Sequence, residues 1–414
     1  MVEDSVRLLP VDEDSWSLEA YLRRGGYEAA RKAVTGMAPE DVLAEVRKAS
    51  LRGRGGAGFP AGTKWGFVPR GAGPKYLCVN ADEGEPGTFK DRLVLLRAPH
   101  QLLEGMIIAA FAVGIRSAFI YVRGESARIA GRLEEAVAEA RAAGYLGPRV
   151  FGTEFGLDVA VHPGAGAYIC GEETALLESL EGRRGQPRVK PPFPATVGLF
   201  RSPTVINNVE TLATVPQILS RGADWFLSRG LPTDGGTRLF GVSGAVRRPG
   251  VYELPVGTPL RTIIEVHAGG LPEGRTIKAV IPGGLSAPVL KPDELDCPMD
   301  FDSLLKACSM LGSAGIVVIA DGTPILDVLH VTARFYAHES CGKCAPCRIG
   351  TSWIDKIVRR LRRGEGSPAD LDLILRLADG IRGKTLCPLG DGAALPINAL
   401  VTKFRAELEQ AVSR

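Results

Sequence analysis

The stretch Glu339-Ser-Cys341-Gly-Lys-Cys344-Ala-Pro-Cys347-Arg348 carries three cysteines at C-x2-C-x2-C spacing. A fourth cysteine, Cys387, follows 40 residues after Cys347 and stands directly before Pro388. Iron–sulfur clusters are held by four Cys thiolates. Three ligands this close in sequence converge on one small inorganic core, and folding must bring in the fourth. The pattern predicts one [4Fe–4S] cluster on Cys341, Cys344, Cys347 and Cys387.

Two other uses of these cysteines fit the spacing less well. Structural zinc sites also take four cysteines, but usually from two separated C-x2-C pairs. A disulfide framework is typical of small secreted chains, and this chain has 414 residues. In ferredoxins a spacer of three residues separates the triplet from the fourth cysteine, which serves a second cluster. No second triplet is present here, so a single cluster is expected.

Length and composition favour a soluble protein of two or three domains. Apolar residues make up 45% of the chain, and the net charge of +3 is too small to indicate nucleic acid. The polar, acidic stretch from Met1 to Ser17 does not read as a secretory signal, and apolar runs such as 106–115 are too short to span a membrane. The remaining cysteines lack ligand spacing and are interpreted as reduced packing residues: Cys78, Cys170, Cys297 and Cys308.

A Gly-rich stretch at 51–65 is the first candidate binding loop. Gly53, Gly55 and Gly58 satisfy G-x-G-x-x-G, but a predicted helix precedes them, which disfavours a standard Rossmann turn. Arg52, Arg54 and Lys64 surround the bare backbone with positive charge. We interpret the stretch as an anion cradle, with a mobile surface loop as the alternative.

Two further loops follow predicted strands. The strand at 75–80 leads into an acidic, Gly-rich loop with Asp82, Glu83 and Glu85, suited to ribose hydroxyls or a flavin ring; a solvated turn is the alternative. The strand at 158–162 leads through a Gly-rich turn into a helix near 173, a better phosphate-binding context.

The order of elements predicts three units. Alternating strands and helices over residues 50–220 indicate an α/β domain, so that we place the first unit at 1–235, with a helical lead-in. Short strands and one helix suggest a β-grasp-like α+β module at 236–322. Helices from 325 onward indicate a bundle at 323–414, with the cysteine triplet and Cys387 in loops between helix ends.

These motifs together resemble a known family. The stretches 52–60, 80–91, 164–176, 206–212 and 339–348 are similar, in the same order, to those of the flavin-bearing, NADH-oxidising F-type subunits of bacterial respiratory complex I. The likeness covers residues 15–410. It implies a Rossmann-like FMN domain, a ubiquitin-like β-grasp domain and a helical [4Fe–4S] domain.

The resemblance also implies site residues. FMN would be bound by Gly53, Arg54, Gly55, Gly56, Gly58, Lys64, Asn80, Asp82, Glu83, Tyr168, Gly171, Glu172, Glu173, Asn207 and Asn208. NADH would contact Phe59, Phe67, Glu85, Lys190 and Phe193, with the phenylalanines stacking on the adenine. Without the resemblance, the phenylalanines would be read as core and the two asparagines as helix caps.

The expected activity is NADH:quinone oxidoreduction, in which FMN takes hydride from NADH and the cluster takes single electrons. Glu83 is the hypothetical tuner of the flavin and Glu173 a hypothetical aid to NAD⁺ release. His338 and Arg348 flank the triplet, where a positive charge raises a cluster's potential.

The resemblance implies two partners, an E-type, thioredoxin-like [2Fe–2S] protein and the large iron–sulfur protein of the same complex. It also implies a cytoplasmic location in the peripheral arm of an inner-membrane complex, without membrane insertion. Two alternatives stay open: a diaphorase component of a soluble NAD-linked hydrogenase or formate dehydrogenase, and a non-catalytic structural or regulatory iron–sulfur protein.

Overall fold

The structure is a computed structural model that describes residues 8–10, 15–71 and 73–412. Residues 1–7 and 11–14 of the predicted helical lead-in lie outside the described residues. The described part of that lead-in forms three helices. They are α1 (Leu18–Arg23), α2 (Glu28–Gly36) and α3 (Pro39–Lys48).

The first unit is built on a four-stranded parallel sheet. Its strands are β1 (Tyr76–Ala81), β2 (Ser117–Val122), β3 (Asp158–Pro163) and β4 (Thr204–Asn208), in the order β3-β2-β1-β4. Each neighbouring pair runs parallel, and β1 lies in the middle between β2 and β4. This is the Rossmann-like arrangement that the motifs predict, and its strand order reverses between β1 and β4.

Helices cover this sheet and supply most of its core. They are α4 (Ala61–Gly66), α5 (Asp91–Arg97), α6 (Pro99–Val113), α7 (Ala127–Ala142), α8 (Glu173–Leu180), α9 (Val209–Arg221) and α10 (Ala223–Leu227). Helix α6 is apolar on every side from Gly105 onward and buried along most of its length. It approaches α9 so closely that a Cβ on Gly105 would lie 1.9 Å from the Leu212 carbonyl oxygen.

The second unit is a four-stranded mixed sheet. Its strands are β5 (Thr237–Gly244), β6 (Gly250–Pro255), β7 (Ile277–Ile281) and β8 (Gly315–Ala320), in the order β6-β5-β8-β7. Strand β5 pairs antiparallel with β6 and parallel with β8, while β7 pairs antiparallel with β8. A helix α11 (Leu260–Thr262), continued as a π-turn over Ile263–His267, and α12 (Phe301–Lys306) complete the β-grasp-like module.

The third unit is a helical bundle. It contains α13 (Ile325–Glu339), α14 (Ala345–Arg362), α15 (Pro368–Ile381), α16 (Leu389–Lys403) and α17 (Arg405–Val412). Its buried side chains, such as Leu329, Ile354 and Leu400, share one apolar cluster with Leu177 of the first unit and Ile281 of the second. The three units are therefore packed together through a common core.

Several elements differ from their predicted form. The sequence predicts that a helix opens within 204–211. Residues 204–208 instead form strand β4, and helix α9 begins only after it, because Asn208 caps α9 with its side chain. Helix α14 begins at Ala345, which places Cys347 in its first turn. The sequence predicts one helix over 393–411. The structure has two helices there, and the first of them starts at Leu389, directly after Pro388.

Within the described residues, no single helix is long and apolar enough to span a membrane. Helices α5 and α6 reach that length and composition only as a pair, which is bent by 101°.

Candidate active site

The carboxyl ends of β1 and β4 frame the candidate site. Asn80 lies opposite Asn208 in the β1–β4 register, and Asp82 follows directly after β1. In an open parallel sheet, ligands bind in the crevice outside the strand ends where the strand order reverses. The fold therefore brings the predicted residues Asn80, Asp82, Asn207 and Asn208 to the place where such a crevice is expected.

The Gly-rich stretch lies against the end of β4. A Cβ on Gly55 would lie 3.0 Å from the Asn208 Cβ, so that only glycine lets the loop approach this closely. Gly56 has a φ of +136°, and a Cβ there would meet nothing within 4 Å. The loop thus places bare backbone beside open space, as expected for a cradle that receives a bulky anion.

Arg54 does not supply the charge that the sequence suggested. Its guanidinium is fully buried, donates to Asp234 Oδ1 over 2.5 Å, and also donates to the carbonyls of Gly235 and Thr237. The backbone N–H of Arg54 donates to Thr211 Oγ1 over 2.8 Å. In this structure neither group of Arg54 faces an open crevice, which corrects the prediction of its charge as part of the cradle.

Asp82 has a side chain that lacks hydrogen-bond partners within the described part of the chain. It is buried, and neither carboxylate oxygen has a hydrogen-bond partner among the described residues. Burial raises the pKa of Asp82 to about 7, against the opposing effect of Arg123. Its neighbour Asn80 is held in place by a hydrogen bond from its side-chain amide to the Gly171 carbonyl over 2.8 Å. Two buried acceptor oxygens without donors fit a ligand that carries hydroxyl groups.

The other two acids of the loop already have partners. Glu83 accepts hydrogen bonds from the backbone N–H of Asp91 over 2.7 Å and from the Arg92 side chain over 3.0 Å, so that it caps α5. Glu85 accepts from the Tyr168 hydroxyl over 2.6 Å and from the Ser286 N–H over 2.7 Å. Burial raises the pKa of Glu85. Both carboxylates therefore stabilise the loop itself.

A network of two lysines and two glutamates lies across the crevice. Lys190 binds Glu172 over 2.9 Å and Glu173 over 2.8 Å, and Glu173 also binds Lys64 over 3.0 Å. Burial alone would raise the pKa of Glu173, but Lys64 and Lys190 together lower it to about 2. Glu172 caps α8 through the N–H groups of Thr174 and Ala175. The structure thus joins four residues that the sequence separates by up to 126 positions.

Asn207 and Asn208 have different partners. Asn207 accepts a hydrogen bond from the Trp65 indole over 2.7 Å, whereas the Asn208 amide donates to Asp91 over 2.6 Å. Asp91 is buried beside Lys90, which also binds Glu210 over 2.6 Å. The sequence reasoning missed this buried charge group at the switch point. The adjacent Lys90-Asp91 pair after the acidic loop was its only visible signal.

The three phenylalanines expected to stack on adenine are exposed. Phe59, Phe67 and Phe193 are 48%, 56% and 57% exposed, which excludes the alternative that they are core residues. Phe59 and Phe67 lie side by side with ring centroids 5.9 Å apart. Exposed aromatic rings that lie side by side are typical of a site for a planar ligand.

The four cysteines converge at the helix ends of the bundle. Cys344 precedes α14, Cys347 lies in its first turn, and Cys387 lies two residues before α16. The N–H of Leu386 donates to Cys344 Sγ over 3.3 Å, and Ser340 Oγ lies 3.2 Å from Cys347 Sγ. Burial, followed by the charges of Glu172, Cys341 and Cys347, raises the pKa of Cys387 to about 12. These contacts show that the triplet and the Cys387 loop meet.

The described cysteines are not arranged as the ligands of a single metal ion. Within the described ranges, no three His, Cys, Asp or Glu side chains are grouped closely enough to be ligands of one ion. A tetrahedral zinc ion needs its sulfurs at about 2.3 Å, whereas a cubane cluster is a larger body that holds its four thiolates farther apart.

The segment from Tyr168 to Lys190 connects the cysteines to the crevice. Gln186 and Arg184 in this segment donate to the Cys341 carbonyl over 3.1 and 3.3 Å, and Lys343 donates back to the Pro187 carbonyl over 2.6 Å. Tyr168, where the segment begins, donates its N–H to Glu339 over 3.1 Å.

The two predicted tuning residues lie beside the triplet. Arg348 is exposed and donates to the Gly342 carbonyl over 2.6 Å, which holds its side chain against the loop between the first two cysteines. His338 lies in the last turn of α13, three residues before Cys341.

Three family models match separate regions of the chain. Residues 46–217 match the family described as Nuo51 FMN-binding domain, 239–289 the SLBB domain, and 327–411 the NADH-ubiquinone oxidoreductase-F iron-sulfur binding region. The chain is 55% identical over 395 residues to the second NADH-quinone oxidoreductase F subunit of Rhizobium meliloti, covering 95% of this chain and 94% of that protein. The chain belongs to the F-subunit family of NADH-quinone oxidoreductases.

Two other proteins are similar to nearly the whole chain. The NADH-quinone oxidoreductase F subunit of Streptomyces coelicolor is 50% identical over 403 residues, covering 97% of this chain and 89% of that protein. A chain of the NAD⁺-reducing [NiFe]-hydrogenase in the H₂-reduced state has a TM-score of 0.85 and 40% identity. The match covers 95% of this chain and 66% of the hydrogenase chain.

The family assignment confirms the predicted fold class and the two cofactors. The FMN-binding match contains the switch point, with the Gly-rich loop, the acidic loop and both asparagines. The iron–sulfur match contains all four cysteines. The structure itself fits both groups. The crevice offers the unpaired Asp82 oxygens and bare Gly backbone, and the bundle offers a thiol that already accepts a backbone N–H.

Proposed function

We propose specific residue roles for the oxidation of NADH by this chain within an NADH-quinone oxidoreductase. The observation that carries the proposal is the segment from Tyr168 to Lys190, which contacts both the crevice and the cysteine triplet. When bound, FMN accepts a hydride equivalent and releases electrons singly, and a [4Fe–4S] cluster carries them one at a time.

The crevice residues would bind and orient. Asp82, held in place beside Asn80, would accept hydrogen bonds from hydroxyl groups of FMN, and the backbone at Gly53–Gly58 would line its phosphate. Asn207 is fixed by Trp65, and Asn208 by Asp91, so that both amides are preorganised at the end of β4. Hydride transfer requires close approach and orientation of two rings, which such fixed groups provide.

The mouth of the crevice would bind NADH. The exposed rings of Phe59, Phe67 and Phe193 would hold the adenine by stacking. Lys64 and Lys190 are both neutralised by Glu173 in this structure. An incoming pyrophosphate would compete with Glu173 for these two lysines. This competition gives Glu173 a physical route to favour dinucleotide release.

The four cysteines would hold the cluster, and the loops that carry them would tune it. The Leu386 N–H to Cys344 Sγ and the Ser340 hydroxyl near Cys347 Sγ place hydrogen bonds on two ligand sulfurs. Hydrogen bonds and positive charge near the sulfurs raise a cluster's potential, and Arg348 lies next to Cys347.

For partners, we propose an E-type, thioredoxin-like [2Fe–2S] protein and the large iron–sulfur protein of the complex. A cytoplasmic-side position in the peripheral arm accompanies this assignment. The structural likeness to a chain of an NAD⁺-reducing hydrogenase keeps the diaphorase role as the second candidate.

The test of the proposal is anaerobic addition of NADH to the chain loaded with FMN and reconstituted with iron and sulfide. The flavin absorbance is expected to bleach, and the cluster signal in electron paramagnetic resonance to appear. A non-catalytic iron–sulfur protein would show neither change. Affinity purification from the host then separates the two enzyme roles, since the partners are either quinone-reductase subunits or hydrogenase subunits.

A further inference from the structure

The outer face of α14 exposes apolar side chains close to the cysteines. Ile349 is 41% exposed and Trp353 is 53% exposed. They follow Cys347 by two and six residues on the same helix. At about 1.5 Å of rise per residue, Trp353 lies roughly 9 Å along the helix axis from Cys347. Clustered exposed apolar side chains of this size mark interaction sites.

The same face carries cations towards the end of the helix, of which Arg360 pairs with Asp370 and Arg363 with Glu365, while Lys356 has no ion pair among the described residues. Ile349, Trp353, Lys356, Arg360 and Arg363 recur every three or four residues and so share one side of α14. The buried side chains of the helix, including Ile354, Val358 and Leu361, take the opposite side.

A groove of about 440 Å³ lies beside this basic end, between α13 and α14. Its lining residues are His330, Arg334, Arg359, Arg362 and Arg363.

The groove keeps an excess of positive charge. Three of its arginines have acidic partners outside the lining: Arg359 pairs with Asp355, Arg362 with Asp327 and Arg363 with Glu365. Arg334 has no ion pair within the part of the chain that the structure describes. The pKa of His330 is lowered, first by burial and then by nearby arginines that repel its proton. The groove therefore presents one arginine whose charge no acid of the described chain neutralises.

We propose that this α14 face, from Ile349 and Trp353 to the arginine groove, docks an acidic, electron-accepting iron–sulfur protein. This inference rests on the proposed function, because the cluster must pass its electrons onward. An exposed Trp next to Ile, with arginines at one end of the same face, has residue types enriched in protein-binding hot spots. The excess charge selects an acidic partner and disfavours a second copy of this chain, whose own arginines would face it.

The test replaces the native chain in the intact oxidoreductase with Trp353→Ala or Arg334→Glu. Two rates are measured: NADH with hexaammineruthenium, a small acceptor that needs no docking, and NADH with a quinone. The quinone rate, or the retention of the other subunits, is expected to fall about tenfold or more, as for a hot-spot residue. The hexaammineruthenium rate per flavin is expected to stay within about twofold of wild type, because the substitutions lie outside the flavin crevice.

Leu305→Ala and Arg128→Glu serve as matched controls. Leu305 is 72% exposed on α12, and Arg128 is exposed on α7, far in sequence from the cysteines. Both controls are expected to keep both rates. If Trp353→Ala and Arg334→Glu also keep the quinone rate and the subunits, the docking proposal is wrong.

Two further results would lead to conclusions other than docking of a protein. Loss of binding to phosphatidylglycerol vesicles in Arg334→Glu, with the quinone rate unchanged, would assign the face to a membrane surface and overturn the proposal. Failure of NADH to bleach the flavin of the wild-type chain would refute the proposed function instead. In that case the docking proposal is still tested by whether the other subunits stay bound to the variant chains.

Discussion

At the scale of single residues, Cys387 separates the two halves of the chemistry. It is the ligand farthest in sequence from the others, and the Leu386 N–H next to it binds Cys344 Sγ. We expect Cys387→Ala to lower the NADH–quinone rate by more than about 100-fold, because a cubane cluster needs all four thiolates. Bleaching of the flavin by NADH should persist. Cys308→Ala, which removes an exposed thiol, should leave both measurements unchanged. Loss of bleaching with FMN still bound would contradict this division of roles.

Glu83 has a structural role as a helix cap, and a second role at the flavin is a hypothesis. The sequence suggested that it tunes the flavin, while the structure shows it capping α5 through the Asp91 N–H and Arg92. Glu83→Ala should therefore lower the free energy of unfolding by about 1 kcal/mol, as for the loss of a helix cap. A redox titration of bound FMN checks the second role. An unchanged flavin potential would leave Glu83 with the capping role alone.

The contribution of Asp82 to the free energy of unfolding changes with pH in the opposite direction from that of a salt-bridged acid. Burial raises its pKa from 3.8 to about 7 in the folded chain. Between these values the folded state binds a proton that the unfolded state has released, so stability falls as pH rises and the full penalty is present above a pH of about 7. In FMN-free protein, Asp82→Asn should thus be more stable than wild type at a pH of about 8, and the difference should vanish near a pH of about 4. Urea unfolding at the two pH values measures this.

The same substitution provides its own check on binding. If Asp82 accepts hydrogen bonds from FMN hydroxyls, Asp82→Asn should bind FMN more weakly although its apoprotein is more stable. Equal or tighter FMN binding would show that the two unpaired oxygens serve another purpose.

At the scale of elements, the Gly-rich loop depends on its contact with the second unit. Gly58 has a φ of +67°, and a Cβ there would lie 2.4 Å from the Phe301 ring. We expect Gly58→Ala to lower the free energy of unfolding by about 1–3 kcal/mol, through strain and overpacking. Gly131→Ala is the control, because Gly131 lies within α7 with nothing within 4 Å of its Cβ position. There the change should stabilise by about 0.4–1 kcal/mol. Urea unfolding distinguishes the two directions, and a neutral Gly58→Ala would show that the loop moves freely.

Element types were predictable where a local pattern was strong. The local patterns predict a helix beginning at 38–39, helices at 99–114 and 126–143, and strands at 75–80, 117–123 and 158–162. Helices α3, α6 and α7 and strands β1, β2 and β3 lie close to these positions, because their periodicity and end signals are local. Strand β4 was missed, since Asn207 and Asn208 resemble a helix start, while the pairing with β1 that makes β4 a strand is remote in sequence.

At the scale of the whole molecule, Glu85 joins all three units. It binds Tyr168 of the first unit and the Ser286 N–H of the second, and Tyr168 packs edge-to-face on Phe335 of the bundle with centroids 5.1 Å apart. Glu85→Ala would leave two buried donors unpaired, at a cost of about 1–3 kcal/mol each. The urea midpoint should fall accordingly. Glu154→Ala, at an exposed acid, should stay within about 0.5 kcal/mol. A midpoint for Glu85→Ala as high as that of Glu154→Ala would contradict a joining role.

The division of the chain at 235 and 322 stays a prediction. The sheets fall on either side of the first boundary, since β4 ends at Asn208 and β5 begins at Thr237. One apolar cluster, however, crosses the second boundary, at residue 322. Ile281 and Leu285 pack in the same cluster as the bundle helices.

The cysteine spacing by itself predicted the iron–sulfur cluster, because a C-x2-C-x2-C triplet is a local arrangement of ligands. The ordered motifs carried the resemblance that implied FMN. Only the tertiary structure decided which charges are available at the site. Arg54 is paired 180 residues away with Asp234, and Glu173 is shared between Lys64 and Lys190. A buried partner of that kind is set by how distant elements pack, and the packing of elements depends on the whole chain rather than on any one stretch.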